Sequence, residues 1–150
     1  MRDRTTSVKS QPTNVLFGVW RVSRAATSAL DAALAPSGLT ADEFGIYSVL
    51  TTAETMTPSE LARWMAAAPT TVSSYVKRFE ARGHVERRRN PDDGRSFVLR
   101  LTPAGRRAHA VAATQFAPIL ERVMRALGGR EASVRRSLAL LDEALRDDEE

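Results

Sequence analysis

Residues 82–105 read RGHVERRRNPDDGRSFVLRLTPAG, and the hydrophobic pattern changes period inside this stretch. Gly83 is placed to terminate a preceding helix in a left-handed conformation. From Val85 the helical period of 3.6 gives way to the strand period of 2. Val85 opens a strand that continues through Glu86-Arg87-Arg88-Arg89, and Asn90-Pro91-Asp92-Asp93-Gly94 supplies turn chemistry. Ser96 to Thr102 then alternates Phe97, Leu99 and Leu101 against Ser96, Val98 and Arg100. The pattern predicts a β-hairpin with an arginine-rich rim. Thr102-Pro103 reads as a helix cap and first helical residue, where proline's missing N–H is harmless.

Immediately upstream, Pro69 opens a predicted helix running to about Arg82. Val72, Val76 and Phe79 form its apolar stripe, which leaves Thr70, Thr71, Ser73, Ser74, Lys77 and Arg78 on the outer face. Small hydroxyls followed by two cations make a surface that approaches phosphates and base edges closely. Tyr75 fits either the core or a phosphate contact. Further back, Thr57-Pro58-Ser59-Glu60 and Thr40-Ala41-Asp42-Glu43 are capping boxes, in which a threonine hydroxyl and a glutamate satisfy otherwise orphaned N–H groups. They open a short helix with Leu61, Trp64 and Met65, and a helix burying Phe44, Tyr47 and Leu50. Asn14 to Leu34 repeats Val15, Val19, Val22, Ala26, Leu30 and Ala33 as a long amphipathic helix, ended by Pro36-Ser37-Gly38.

Downstream of the hairpin, a long helix carries Ala108, Val111, Ala112, Ile119, Val123 and Leu127, with Pro118 predicting a kink or a break. Gly128-Gly129 ends it. A last helix, about Arg130 to Leu145, places Val134, Leu138, Leu141 and Leu145 at heptad-like spacing. The compact centre covers only one side of the first and last two helices. Their remaining stripes, with Val15, Val19, Val134, Leu138, Leu141 and Leu145, therefore predict a homodimer. The domain organisation that follows is a flexible arm over 1–13, a helical dimerisation region over 14–36 and 103–146, a winged helix-turn-helix lobe over 40–102, and an acidic tail over 147–150.

The charge is unevenly placed. The 150 residues hold 22 basic and 18 acidic side chains, net +4, yet residues 58–107 alone carry 11 and 5, net +6. Residues 1–57 balance and residues 108–150 are net −2. A positive middle segment is the footprint expected where one surface meets a polyanion. With 43% apolar residues the chain can bury a core, and its length suggests one domain. There is no cysteine, which removes disulfides, thiolate metal sites and thiol switches. Neither a secretion signal nor an apolar run long enough to span a membrane is visible, so a cytoplasmic location away from the membrane is expected.

Two short helices joined by a turn, the second polar and cationic outside, followed at once by a basic hairpin, make a winged helix-turn-helix in a mainly α chain. A helix fits the major groove, and an arginine at a hairpin tip enters the narrower minor groove beside it. Together Arg82-Gly83, Val85, Arg87, Asp93, Arg95 and Leu101-Thr102 with Gly105 form an ordered series that resembles the MarR (multiple antibiotic resistance regulator) family of bacterial transcription factors. The resemblance runs from Asn14 to about Leu145. It implies that Arg95 is the wing-tip residue entering the minor groove and that Asp93 orients a nearby wing arginine. It also implies an obligate homodimer, often with an effector pocket where the dimer region meets the DNA-binding lobe.

The expected function is a sequence-specific regulator of double-stranded DNA, a homodimeric repressor of a palindromic operator released by a small organic ligand. The DNA-binding set is Thr70, Thr71, Ser73, Ser74, Lys77, Arg78, Arg87, Arg89, Asp93 and Arg95. Trp20 and Arg24 are four apart on the first helix, and Phe44 and Tyr47 share a face of the second. That set suits a small aromatic or phenolic effector, or else plain core and dimer packing. An enzyme is not expected: there is no phosphate loop, nucleophile elbow or Ser-His-Asp series, and neither a catalytic residue nor a cofactor is expected. The two histidines, 25 positions apart with no carboxylate at helical spacing, do not make a metal site. The alternative is a non-enzymatic winged helix for sequence-independent DNA coating or protein contacts.

Overall fold

Three threonines set the starting points of three helices. Thr40 Oγ1 accepts from the Glu43 N–H while the Glu43 carboxylate accepts from the Thr40 N–H, a closed capping box that starts helix α2 (Ala41–Ala53). Thr57 and Glu60 repeat it at helix α3 (Pro58–Met65). The Thr57 backbone N–H and then the Thr57 hydroxyl, both donating to it, hold the Glu60 carboxyl below its usual range. Thr102 caps helix α5 (Pro103–Leu127) by accepting from the Gly105 N–H. The computed structural model describes residues 14–146, so the expected arm over 1–13 and the acidic tail over 147–150 lie outside the described residues.

Helix α1 (Val15–Leu34) precedes a short 3-10 turn (Ala35–Ser37), and helix α4 (Pro69–Ala81) leads into the antiparallel hairpin of β1 (Val85–Arg89) and β2 (Phe97–Leu101). Helix α6 (Glu131–Arg146) closes the described chain. In the hairpin Val85 pairs with Leu101, Arg87 with Leu99 and Arg89 with Phe97. Met56, just before α3, adds a bridge to the other edge of β2, with Met56 and Leu99 exchanging both backbone bonds at 3.2 and 2.7 Å. The first helix-turn-helix helix is thereby tied to the root of the wing.

One core joins these elements. Leu34, Ile46, Tyr47, Leu50, Leu61, Val72, Phe79, Leu99 and Ala112 are essentially sealed from solvent, each apolar body stabilising the fold by about 1.5–3 kcal/mol where large. Tyr47 meets the edge of Phe79 with ring centroids 4.9 Å apart. Thr102 fastens the wing's exit to the end of α4: its hydroxyl donates to the Gly83 carbonyl and its N–H to the His84 carbonyl. At Gly105 a Cβ would run into that same His84 carbonyl, so only glycine lets α5 start so close.

Two local expectations are narrowed. Of the kink or break expected at Pro118, the break does not occur, and α5 runs as one helix from Pro103 to Leu127. Packing of α5 against α1 and α2 outweighs the one backbone bond that proline removes. Val98, expected on the open face of β2, is buried at 8% exposure. Its cross-strand partner is Arg88, whose guanidinium is held by Glu86 at 2.8 Å, and long side chains directly opposite a short one are placed to shield it.

Of the dimer candidates, Val15, Val134, Leu138 and Leu145 are exposed in the single chain, and Val19 and Leu141 are half-buried. Leu16, Phe17, Trp20 and Val22 extend the bare surface along α1. No described helix is long and apolar enough to cross a membrane.

Candidate nucleic-acid interface

Helix α4 presents the face that its sequence foretells. Val72, Val76 and Phe79 are buried, and Thr70, Thr71, Ser73, Ser74, Lys77 and Arg78 are all exposed. Ala68 at the N-cap offers no side-chain bond, so the positive end of the helix opens to solvent beside Thr70 and Thr71. Ser74 donates back to the Thr70 carbonyl at 3.0 Å. Among the described residues Lys77 has no ion-pair partner. Tyr75 is half-buried: its ring packs against Phe79, and its hydroxyl donates to Asp42 at 2.8 Å, which anchors α4 to the first turn of α2. Burial and that neighbouring carboxylate push its phenol up.

A buried carboxylate underlies this helix. Glu43 is only 1% exposed, and besides closing the α2 cap it meets Arg82 at 3.2 Å and Arg78 at 3.9 Å. The Glu43 bond holds the Arg82 guanidinium more firmly protonated. Arg78 also lies over the Tyr75 ring, 4.6 Å from its centroid. Its head is thus oriented yet half exposed. Next to this pair, Tyr47 and His84 share a 2.9 Å bond between the phenol and Nδ1. Burial pushes the Tyr47 phenol up and the His84 imidazole down, the latter helped by the Arg82 charge. Neither Glu43 nor Arg82 stands out in the sequence, because the cap alone accounts for Glu43 and Arg82 looks like an ordinary helix end.

In the wing the arginine run divides. Arg87 forms a two-point pair with Glu80, at 2.7 and 3.1 Å, and lies 4.5 Å over the Phe97 ring, so it braces β1 against α4. Arg88 is held by Glu86. Arg89 donates through Nε to the Gly94 carbonyl at 3.0 Å, which leaves the rest of its guanidinium exposed. At the tip, Asn90 donates its backbone N–H to the Ser96 carbonyl and its side-chain amide to the Ser96 hydroxyl, and the Ser96 N–H donates to the Asp93 carbonyl. Asp93 does not orient an arginine side chain. Its carboxylate accepts from the Arg95 backbone N–H at 3.1 Å, the short-range turn bond that an aspartate two residues back reaches most easily. Arg95 itself projects from this ordered loop with no ion-pair partner among the described residues.

The expected effector wall is not assembled. Phe44 is buried against His109 and Phe116, and Tyr47 is sealed between Phe79 and His84, so both belong to the core and leave no ring face for a ligand. Trp20 is 61% exposed on α1, with Arg24 6.0 Å over its ring, in a shallow hollow shared with Asn14, Leu16 and Phe17. Amphipathic periodicity finds which residues share a helix face but not whether that face is already covered. Among the described residues there is no cluster of three or more groups able to hold a metal ion.

The helix pair, the wing and the exposed cationic face define a winged helix-turn-helix protein. Residues 37–96 match the model of the MarR family. The repressor Rv2887 of Mycobacterium tuberculosis is 32% identical over 109 residues, covering 70% of this chain and 78% of that one, and the chain belongs to the MarR family. The DNA complex of the M. tuberculosis transcriptional regulator MosR superposes with a TM-score of 0.78 at 28% identity, covering 92% of this chain and all of that one. The repressor CouR bound to a 23-mer duplex gives 0.71 at 25% identity, covering 88% and 92%.

Proposed function

We propose that this protein is a homodimeric transcriptional repressor that binds a near-palindromic site in double-stranded DNA. Helix α4 reads the major groove through Thr70, Thr71, Ser73, Ser74, Lys77 and Arg78, and Arg95 enters the adjoining minor groove. The observation that carries this reading is the exposed hydroxyl-and-cation face of α4, beside a hydrogen-bonded wing tip whose arginine is unengaged. Rv2887 is a named repressor, and MosR and CouR are each seen on DNA, which supports the same action here. Arg89 adds a phosphate contact, whereas Arg87 and Asp93 act by supporting the wing.

The exposed stripes of α1, α5 and α6 support the dimer, in which two α4 helices stand about 34 Å apart on half-sites one turn apart. Relief by a small organic ligand acts through that spacing. Helix α5 leaves the wing at Thr102, which is bonded to the end of α4, so a shift of the dimer helices is passed to the reading head.

Selection of bound sequences from a random DNA pool, followed by titration of the winner against competitor DNA, tests the reading. Recovery of an inverted repeat, with binding stoichiometry of two chains per site, is the expected result. Equal affinity for all sequences would favour DNA coating, and no affinity at all would favour a protein-binding winged helix.

A further inference from the structure

The wing tip holds the chain's only Asp-Gly step, Asp93-Gly94, and neither asparagine precedes a glycine. The step lies in a run of exposed residues, 91–95, between β1 and β2. A glycine after an aspartate leaves the peptide nitrogen unshielded, because no Cβ stands beside it. The other described aspartates are placed differently. Asp31, Asp42 and Asp142 sit within helices, and Asp92 is followed by Asp93, whose Cβ flanks the nitrogen. Asn90 precedes Pro91, whose nitrogen carries no hydrogen.

The hydrogen bonds of the tip bear on this step from both sides. Asp93 Oδ1 accepts from the Arg95 N–H at 3.1 Å, which closes a ring that passes through the Gly94 nitrogen. The carboxyl is thereby folded back along the chain towards Gly94. The Asp93 carbonyl accepts twice from Ser96, from its N–H at 3.0 Å and its hydroxyl at 3.2 Å. Both bonds draw electron density out of the Asp93–Gly94 peptide group and make its N–H a better acid. Among the described residues that N–H has no hydrogen-bond partner, while the Gly94 carbonyl is held by Arg89 Nε at 3.0 Å. A free nitrogen, a polarised carbonyl and a carboxyl turned towards them meet in one turn.

We propose that Asp93-Gly94 is a site of spontaneous covalent modification, at which Asp93 isomerises to isoaspartate. The Gly94 nitrogen attacks Cγ of the protonated Asp93 carboxyl, the N–Cγ bond forms, and the carboxyl hydroxyl leaves with the amide proton as one water. The product is a five-membered succinimide. Water then adds to its main-chain carbonyl carbon and breaks the original peptide bond, so that Gly94 stays attached through Cγ and the old carbonyl becomes a free carboxylate. One water leaves and one returns, and no other reactant is consumed.

The product has one more methylene in its main chain. The Arg95 N–H loses its acceptor and Ser96 loses the carbonyl that it meets twice, so the bonds that order the tip are dismantled and Arg95 is released from its place. A weakening of DNA binding as the molecule ages is a consequence that rests on the reading of Arg95 given above. The isomerisation itself does not depend on it.

The test keeps the folded full chain for about four weeks at about 37 °C and pH 6, beside a free peptide of residues 87–98. Digestion with a protease that cuts before aspartate but not before isoaspartate, followed by mass spectrometry, locates the product. Methyl transfer from S-adenosylmethionine by an isoaspartyl methyltransferase counts it. Isoaspartate should accumulate at position 93 at least fivefold above position 92, through a species lighter by one water, and no more slowly in the folded chain than in the peptide. Gly94→Ala should lower it at least fivefold in both. That substitution suits the tip, since an added Cβ meets only the movable Arg89 guanidinium and the backbone there is not left-handed. Equal accumulation at Asp92 and Asp93, a folded chain slower than the peptide, or indifference to Gly94→Ala would each overturn the proposal. Isomerised protein should also bind the selected DNA site at least fivefold more weakly than fresh protein. Fresh protein without affinity for DNA would instead count against the DNA reading, and the peptide map decides the isomerisation in either case.

Discussion

The Arg82 guanidinium lies 3.2 Å from the Glu43 carboxylate, and this contact fastens the C-terminal end of α4 to the first turn of α2. A charge that is 1% exposed stays in the core because three groups meet it: the Thr40 N–H, Arg82 and, at longer range, Arg78. Glu43→Gln retains an acceptor for the cap but loses the charge, and should cost about 1–2 kcal/mol in urea unfolding. Arg82→Ala leaves the carboxylate buried without its nearest cation and should cost more, about 3 kcal/mol. The reverse order would show that Arg82 is not its main partner.

At the wing, Arg95 and Lys77 are unengaged while Arg87 is paired with Glu80. Arg95→Ala should weaken binding to the selected site by about 1–3 kcal/mol at fixed salt, without moving the unfolding midpoint. Lys77→Ala should reduce the slope of log affinity against log salt by about one. Arg87→Ala should instead lower stability by up to about 1 kcal/mol, as an exposed pair with an aromatic neighbour does, and leave the salt slope nearly unchanged. A slope change in Arg87→Ala equal to that in Lys77→Ala would restore Arg87 as a phosphate contact.

Gly105→Ala is a test of the junction between wing and α5. The added methyl meets the His84 carbonyl, a backbone atom already bonded to the Thr102 N–H, so the neighbours cannot simply rotate away. A loss of about 1–3 kcal/mol is expected in calorimetry, although alanine favours helix more than glycine does. A stabilised variant would mean that the junction is looser than the structure has it.

Both histidines titrate into stability in the same direction. Burial holds His84 and His109 below the ordinary imidazole value, with the Arg82 charge adding to the effect at His84. His109 also lies between Ser48 and Thr51 and stacks on Phe44. As pH falls through about 6.5 the unfolded chain takes up these protons first, so stability is full above that value and declines below it. The urea midpoint should be level from pH 8 to 7 and fall towards pH 5, and His84→Asn with His109→Asn should flatten the fall. An unchanged slope in the double variant would assign it to other groups.

Much of the fold was legible because its signals are local. Thr40, Thr57 and Thr102 each announce a helix within three residues, and the change of period at Val85 announces the hairpin. The outward face of α4 follows from the buried stripe of Val72, Val76 and Phe79. What escaped the sequence depends on chain-distant contacts. Glu43 meets Arg82 across 39 positions, and Met56 joins β2 from outside any strand-like run. Phe44 and Tyr47 are covered by His109 and His84, from α5 and from the segment before β1, so a shared helix face did not become a shared pocket. Asp93 had an arginine in plausible reach by sequence, but the nearer backbone N–H took its carboxylate.

The Met56 bridge covers one side of β2, which leaves β1 as the sheet's open edge. That edge is the run Arg87-Arg88-Arg89, all three exposed. An unpaired strand of valines or threonines there would offer a template for another chain to pair with, and two such lobes would stack edge to edge. A row of like charges makes that encounter repulsive. The same arginines thus act as gatekeepers against misassembly, a duty that persists when no nucleic acid is present. Their replacement should appear first as aggregation during folding or on storage, before any loss of the native structure itself.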